Sequence, residues 1–447
     1  MIKFKLAKIL TLMFAMNICV VSQEKELSLK DCINLAMKNN IALKSSSIQI
    51  LKSREQLKEA KSGYYPNVDI EGVFRQNDEA VTFITPAVEI SPGLTIGPSE
   101  SEVSPESFYK LYINISQPLY TGGRVSHGVN MTKYLKNAIV LQHTHIKQNI
   151  VFQVYRHYFN ILRKQNIVSS KKESEQLAKK HLDDTELKDF SKHFKLRAKS
   201  KHLQTLSDSV QAQQSLEVSK NELAYFIGYS KKYRLTDTLK FVELNVDITK
   251  KIEAANRNRM DFKAMRSGIE ALKYKEKIET SYRLPQLVAS ATGGYQNPEF
   301  GELGGEETGD SYWNVQIALR FNLFDGFRRK SRASQINKER LQNYAELKDV
   351  KSKAQRDILT ISSQIKKMNK IVKLQQQILK VAKENYELVS KGYSLKENTQ
   401  LQLLDALEQV TTTNRELINA IYFHELAVIR LQLLTGELDP KKIMGAK

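Results

Sequence analysis

The stretch Trp313-Asn314-Val315-Gln316-Ile317-Ala318-Leu319-Arg320-Phe321-Asn322-Leu323-Phe324-Asp325-Gly326-Phe327-Arg328 joins two kinds of structure. From Trp313 to Leu323 the apolar residues fall at every second position. That is the period of a strand with one apolar and one polar face. Beyond Gly326 there is no glycine before Gly392, and no proline from 299 to 439. Both residues weaken or break helices, so their absence predicts a very long helix. From Leu347 the apolar or small positions run Val350, Ala354, Ile358, Ile361, Ile365, Met368, Val372, Leu379, Ala382, Tyr386 and Val389, broken only by Gln375. This heptad seam predicts coiled-coil packing. A helix from about Gly326 to Lys391 would be on the order of 100 Å long and would need partner helices along its length. A second helix opens at Leu401, Leu404, Leu407 and Val410. It runs to Leu434 and stops at Gly436, with Pro440 just beyond.

The same order of features appears earlier in the chain. No proline lies from 119 to 284, and no glycine from 129 to 227. Leu111, Ile113, Ile115 and Leu119 alternate with polar neighbours, as do Val68, Ile70 and Phe74, and more weakly Leu287, Ala289 and Ala291. Each segment has the length of a tilted membrane-spanning strand. Aromatics at the segment ends (Tyr64, Tyr65, Tyr109, Tyr120, Tyr295, Tyr312, Trp313, Phe324) fit an interfacial belt, although ordinary strand ends hold them too. The connections Asn77–Ser107 and Gln296–Ser311 are long and polar, as extracellular loops of membrane barrels are.

Tyr65-Pro66-Asn67-Val68 matches Leu284-Pro285-Gln286-Leu287. Ile113 to Arg124 matches Ile317 to Arg328. Phe226-Ile227-Gly228 matches Leu434-Thr435-Gly436. Duplication is the economical explanation. It divides the chain into a first repeat, 23–235, and a second, 236–447, each with a helix, two strands and a long helical hairpin. Four strands cannot close a barrel, and open sheet edges are not tolerated in lipid. Three copies would supply twelve strands, an allowed number, under closed rotational symmetry. The expected fold is mostly α with a small membrane β-barrel: long coiled hairpins forming an α-barrel, and four strands per protomer contributing to a trimeric twelve-stranded barrel.

Residues 1–22 read as a secretory signal peptide. Lys3, Lys5 and Lys8 precede the apolar run Ile9–Val21, with small residues Val20 and Ser22 at the cleavage site. Cys19 would be the acylated position of a lipoprotein, but Asn17 and Ile18 fit that signal poorly. Removing three lysines takes the formal charge from +20 to +17. The cations are scattered among Glu and Asp along helical stretches, without interleaved aromatics. This pattern argues against a nucleic-acid partner. Cys32 alone remains after cleavage and reads as a buried structural thiol. The eight histidines (127, 143, 145, 157, 181, 193, 202, 424) form no metal-ligand spacing, and Gly293-Gly294 and Gly304-Gly305 open no phosphate loop. No catalytic constellation, metal or cofactor is expected, so the chain does not read as an enzyme.

Several motifs together resemble the TolC-like outer-membrane efflux protein family. They are Leu27-Ser28-Leu29-Lys30-Asp31-Cys32-Ile33-Asn34-Leu35-Ala36-Met37-Lys38-Asn39-Asn40, then Tyr65-Pro66, the Gln117–Arg124 segment with its partner Asn322–Arg328, and Leu431–Gly436. The resemblance spans roughly Leu27 to Leu438. It implies a homotrimeric channel-tunnel in the cell outer membrane, with most of the chain in the periplasm. It also implies partnership with a periplasmic adaptor (membrane fusion protein) and an inner-membrane transporter, in a tripartite efflux or type I secretion system. Family members narrow the periplasmic end of the tunnel, some with two acids three residues apart. In Tyr393–Ala406, Asp405 matches the second acid and Gln402 stands at the first. Asn398 falls where some members have a latch arginine, and Tyr393 matches its aromatic partner. The implied constriction carries one carboxylate per subunit, with lower cation affinity than two would give. The first hairpin lacks a counterpart of Gly392, and its tip is expected within residues 185–200. The rival reading is an exported coiled-coil scaffold without channel activity.

Overall fold

The computed structural model describes residues 25–79, 81–104, 106–187, 191–297 and 310–439. The signal peptide, Cys19, the core of the Gly-Glu-rich loop and Pro440 lie outside the described residues.

The chain opens with β1 (Lys25–Leu27), α1 (Leu29–Asn39) and α2 (Ile41–Ser62). Next come β2 (Asn67–Gln76), β3 (Val81–Thr85), β4 (Val88–Ser91), β5 (Leu94–Ile96), β6 (Ser99–Ser104) and β7 (Ser107–Tyr120). A helical hairpin follows, α3 (Arg124–Leu187) and α4 (Lys192–Ile227), then β8 (Tyr233–Leu235). The order then recurs with α5 (Ile248–Asn258), α6 (Met260–Ser281), β9 (Gln286–Asn297), β10 (Asp310–Arg320), α7 (Arg328–Ser394) and α8 (Gln400–Leu434). The predicted strands and helices stand within a few residues of their expected limits. In the first hairpin one helix ends at Leu187 and the next begins at Lys192, both inside the expected window.

The connection between β2 and β7 differs from expectation. It is a continued hairpin rather than an irregular loop: β3 pairs antiparallel with β6, and β4 with β5. Val81, Phe83 and Val88 take part in the pairing, and Pro86, Pro92 and Pro98 fall between the strands and do not interrupt it.

Cα proximity divides the chain into two compact units. One comprises residues 1–48, 141–263 and 348–447. Its main core joins Leu27, Cys32, Ile33 and Ala36 of the N-terminal segment to Val151, Val154, Tyr158 and Ile161 of α3 and Leu223 and Ile227 of α4. Here β1 pairs parallel with β8, and Tyr158 Oη donates to Asp237 Oδ2 at 2.5 Å. A second cluster packs Ile358, Ile361 and Ile365 of α7 against Ala427 and Leu431 of α8. Every member of the predicted seam on α7 is buried or half-buried, Gln375 included. Among the described helices only α8 is long and apolar enough to cross a membrane, yet Leu403, Leu404, Leu407, Ile418 and Leu431 are buried in packing.

Two glycines end helices in similar local settings. Gly228 closes α4 at φ 64°, and a β-carbon there would come within 2.8 Å of Asn39 Cβ at the end of α1. Gly436 follows α8 at φ 70°, and its β-carbon would come within 2.9 Å of the Arg259 nitrogen at the end of α5. In both places a left-handed glycine lets a hairpin end against a short helix.

The other unit, residues 49–140 and 264–347, holds the four-stranded antiparallel sheet in the order β10-β9-β7-β2. Strands β10 and β2 are its edges.

Candidate functional site

Two places carry chemistry, one in each unit. The first is the sheet. Directly paired residues share a face, so the register defines both surfaces. Leu319 faces Leu287, Ile317 faces Ala289, and Val315 faces Ala291. Ala291 pairs in turn with Ile115, and Ile115 with Val68. One surface is therefore apolar across all four strands. It is also uncovered: Trp313 is 80% exposed, Ile317 67%, Leu319 69% and Ile70 72%. An exposed apolar patch of this extent marks a surface meant for lipid or a partner.

The opposite surface carries Asp69, Glu71, Lys110, Asn114, Thr292, Asn314, Gln316 and Arg320. Thr292 Oγ1 donates to Asn114 Oδ1 at 3.0 Å, and Lys110 Nζ lies 4.6 Å from the Tyr312 ring. Close pairing of β9 with β7 needs Gly294, where a β-carbon would stand 2.5 Å from the Leu111 carbonyl oxygen. The sheet thus has an exposed apolar face, a polar face and two unpaired edges.

The second place is the tip of the helical hairpins, where the ends of α3 and α7 meet the starts of α4 and α8. All four expected residues are there, but they do different things. Tyr393 packs edge-on against His181 of α3, ring centroids 5.2 Å apart. Burial pushes its phenol pKa up, and nearby Asp184 adds to the shift. Asn398 is a turn-forming residue. Its Nδ2 donates to the Val389 carbonyl at 3.3 Å, and its backbone N–H reaches the Gly392 carbonyl. A β-carbon on Gly392 would overlap the Asn398 amide, which accounts for the glycine. Gln402 is engaged as well. Its Oε1 accepts from Thr399 N at 2.7 Å, while Thr399 Oγ1 accepts from Gln402 N, forming the capping box of α8. Asp405 is exposed, and among the described residues no cation pairs with it.

Two neighbours of this tip were not expected from sequence. Gln400 is 2% exposed and His181 7%, and Gln400 Nε2 lies 3.1 Å from His181 Nε2. The same amide nitrogen donates to the Phe194 carbonyl at 3.1 Å. A carbonyl can only accept, so the NH₂ end of Gln400 faces both partners. His181 Nε2 must then be an acceptor, and its proton sits on Nδ1. Desolvation pushes the His181 pKa down, partly opposed by Asp184. Their separation of 219 positions explains why no local pattern disclosed the pair.

Further up, α8 is tied to the first hairpin by polar rungs. Lys201 Nζ meets Glu408 at 2.5 Å, Asn414 Nδ2 donates to Ser170 at 2.9 Å, and the Arg163 guanidinium lies 4.7 Å over the Tyr422 ring. Cys32 is buried, and desolvation, with smaller help from Asp31 and Asp237, pushes its thiol up to about 12. Among the described residues no group of three or more His, Cys, Asp or Glu could hold a metal.

Comparison with known proteins agrees with this architecture. The sequence pattern of the family described as outer membrane efflux protein matches residues 252–437. The outer membrane protein TolC of Vibrio cholerae serotype O1 is 23% identical over 390 residues, covering 82% of this chain and 86% of that protein. The solved MtrE outer membrane channel of Neisseria gonorrhoeae superposes with a TM-score of 0.74 at 17% identity, over 92% of this chain and 90% of its own. The outer membrane protein VceC of Vibrio cholerae gives 0.71 at 15% identity, over 91% and 96%. The chain thus carries the sequence pattern of the outer membrane efflux proteins over residues 252–437 and shares the fold of solved outer membrane channels over 91% of its length.

Proposed function

We propose that this chain is the outer-membrane channel subunit of a tripartite efflux or type I secretion system. It conducts substrates passively from a periplasmic adaptor and inner-membrane pump to the exterior. The observation that carries this reading is the four-stranded sheet with one predominantly apolar, exposed face, one polar face and two open edges. Neither edge can stay unpaired in lipid. Three copies close a twelve-stranded barrel with the polar faces around water, and the long hairpins of two repeats, 23–235 and 236–447, line the periplasmic tunnel. An exported coiled-coil scaffold has no use for that apolar face.

At the periplasmic end we assign the constriction to the tip residues. Asp405 is the ring carboxylate, one per subunit. Gln402 and Asn398 shape the helix start and the turn that present it, and Tyr393 braces them. The reading is supported by the exposure of Asp405 and by the hydrogen bonds that occupy the other two side chains. The experiment is reconstitution of the detergent-purified protein into planar bilayers. Discrete, long-lived conductance from a trimeric species supports the channel. A monomer extracted without detergent that never conducts supports the scaffold.

A further inference from the structure

We propose that the junction from Phe321 to Arg332 binds the phosphate headgroups of anionic phospholipids at the periplasmic leaflet. The inference rests on the reading of the sheet as membrane-spanning.

The two repeats cross from strand to helix by the same backbone path. In the first, Gly122 and Gly123 take φ 62° and 83°; in the second, Gly326 and Phe327 take φ 65° and 63°. A bulky residue in the left-handed region is disfavoured by its own β-carbon, and glycine is the natural occupant. Phe327 is nevertheless 64% exposed, with its ring edge-on to Phe324, 71% exposed, at 5.4 Å. Phe321 and Leu323 beside them are 51% and 84% exposed. Burial within the chain offsets neither the strain nor the exposure. These side chains continue from β10, whose Trp313, Val315, Ile317 and Leu319 form the apolar face of the sheet.

Cations follow at once. Residues 326–338 contain Arg328, Arg329, Lys330, Arg332 and Lys338 and no acid. Arg329 is used internally: it lies 3.8 Å over the Tyr282 ring, reaches Glu279 at 3.3 Å and has Asp325 at 3.9 Å. Asp325 also accepts from Arg329 N at 3.0 Å, so the nearest acid is occupied. Arg328, Lys330 and Arg332 are exposed, and among the described residues no carboxylate pairs with them. At the matching place in the first repeat, Arg124 lies 5.1 Å over Tyr282, and no further Lys or Arg occurs before Lys133.

Aromatics seated at the edge of an apolar face, with cations one step further out, suit a bilayer interface. Rings lie at the acyl boundary and long cationic stems reach phosphates. A partner protein would have to supply an apolar collar and several acids together. A leaflet holding anionic lipid supplies both everywhere. Each cation near an anionic surface contributes about 1 kcal/mol, roughly a fivefold change in partitioning.

The test uses the full-length protein in mild detergent, offered equal amounts of phosphatidylglycerol and phosphatidylcholine, with retained lipid counted by native mass spectrometry. The native protein should prefer phosphatidylglycerol. Joint substitution Arg328→Gln, Lys330→Gln and Arg332→Gln should bring the preference close to parity. Phe327→Gly, which relieves the backbone, should reduce retention of both lipids while leaving thermal stability unchanged or higher. Joint Lys366→Gln, Lys367→Gln and Lys370→Gln, an equal charge loss on exposed positions far along α7, should change nothing. A native protein that inserts into bilayers but shows no preference overturns this proposal and spares the channel reading. Failure to insert overturns both. Displacement of phosphatidylglycerol by millimolar inorganic phosphate would assign the cations to a soluble anion and also overturn it.

Discussion

The Gln400 side chain holds His181 through a single contact, Nε2 to Nε2 at 3.1 Å, and that contact requires a neutral imidazole. The groups facing it are the Phe194 carbonyl from α4, the Tyr393 ring from α7 and Asp184 on its own helix. Protonation would set two donors against each other. The folded-state pKa of His181 is depressed below the ordinary 6.5, so the native state binds fewer protons than the unfolded one. The contribution is complete above pH 6.5 and is lost as the pH falls through 6.5 toward the depressed value. Hydrogen exchange at the tip is expected to speed up on acidification across that window, and His181→Gln should flatten the response. An unchanged pH profile in the variant would show that His181 is not the titrating group.

Gln402 and Asp405 should separate cleanly under mutation. Asp405→Asn removes the carboxylate proposed for the constriction and is expected to lower cation selectivity and divalent block, with little loss of stability. Gln402→Ala breaks the capping box and should cost about 1 kcal/mol at the start of α8, with selectivity nearly unchanged. Single-channel reversal potentials and thermal denaturation read the two effects. Identical outcomes for both variants would contradict the assignment.

Gly228→Ala and Gly436→Ala each combine a left-handed backbone with a β-carbon inside 3 Å of a neighbour. Each should destabilise by roughly 1–3 kcal/mol, measured by denaturant unfolding. Gly128→Ala meets nothing within 4 Å and serves as the mild control.

Cys32 should resist alkylation in the native protein at neutral pH, because burial favours its protonated thiol. Labelling should appear only on unfolding. Rapid native labelling would show that the junction of α1 with α3 and α4 opens.

Much of this architecture was legible because it is periodic. The seam from Leu347 to Val389 has one spacing over many turns, and the four strands announce themselves by alternation. The parallel pair β1 and β8 was not legible, since three residues carry no period and their partners lie far apart in sequence. The β3–β6 arm was hidden by its prolines and acids. At the tip, family resemblance pointed to Tyr393, Asn398, Gln402 and Asp405, but the hydrogen bonds each makes could not be read from sequence. Hydrogen bonds tie Asn398 and Gln402 to the nearby backbone, whereas Asp405 is exposed and, among the described residues, has no cation paired with it. His181 and Gln400 were invisible because one long-range packing event brings them together.

The central claim is that three copies close the sheet into a conducting pore. Its most direct measurement is single-channel recording on the detergent-purified protein, with subunit stoichiometry determined on the same sample. The account predicts a trimer with discrete, long-lived conductance whose cation selectivity falls in Asp405→Asn. A folded protein that remains monomeric and never conducts in bilayers would contradict it.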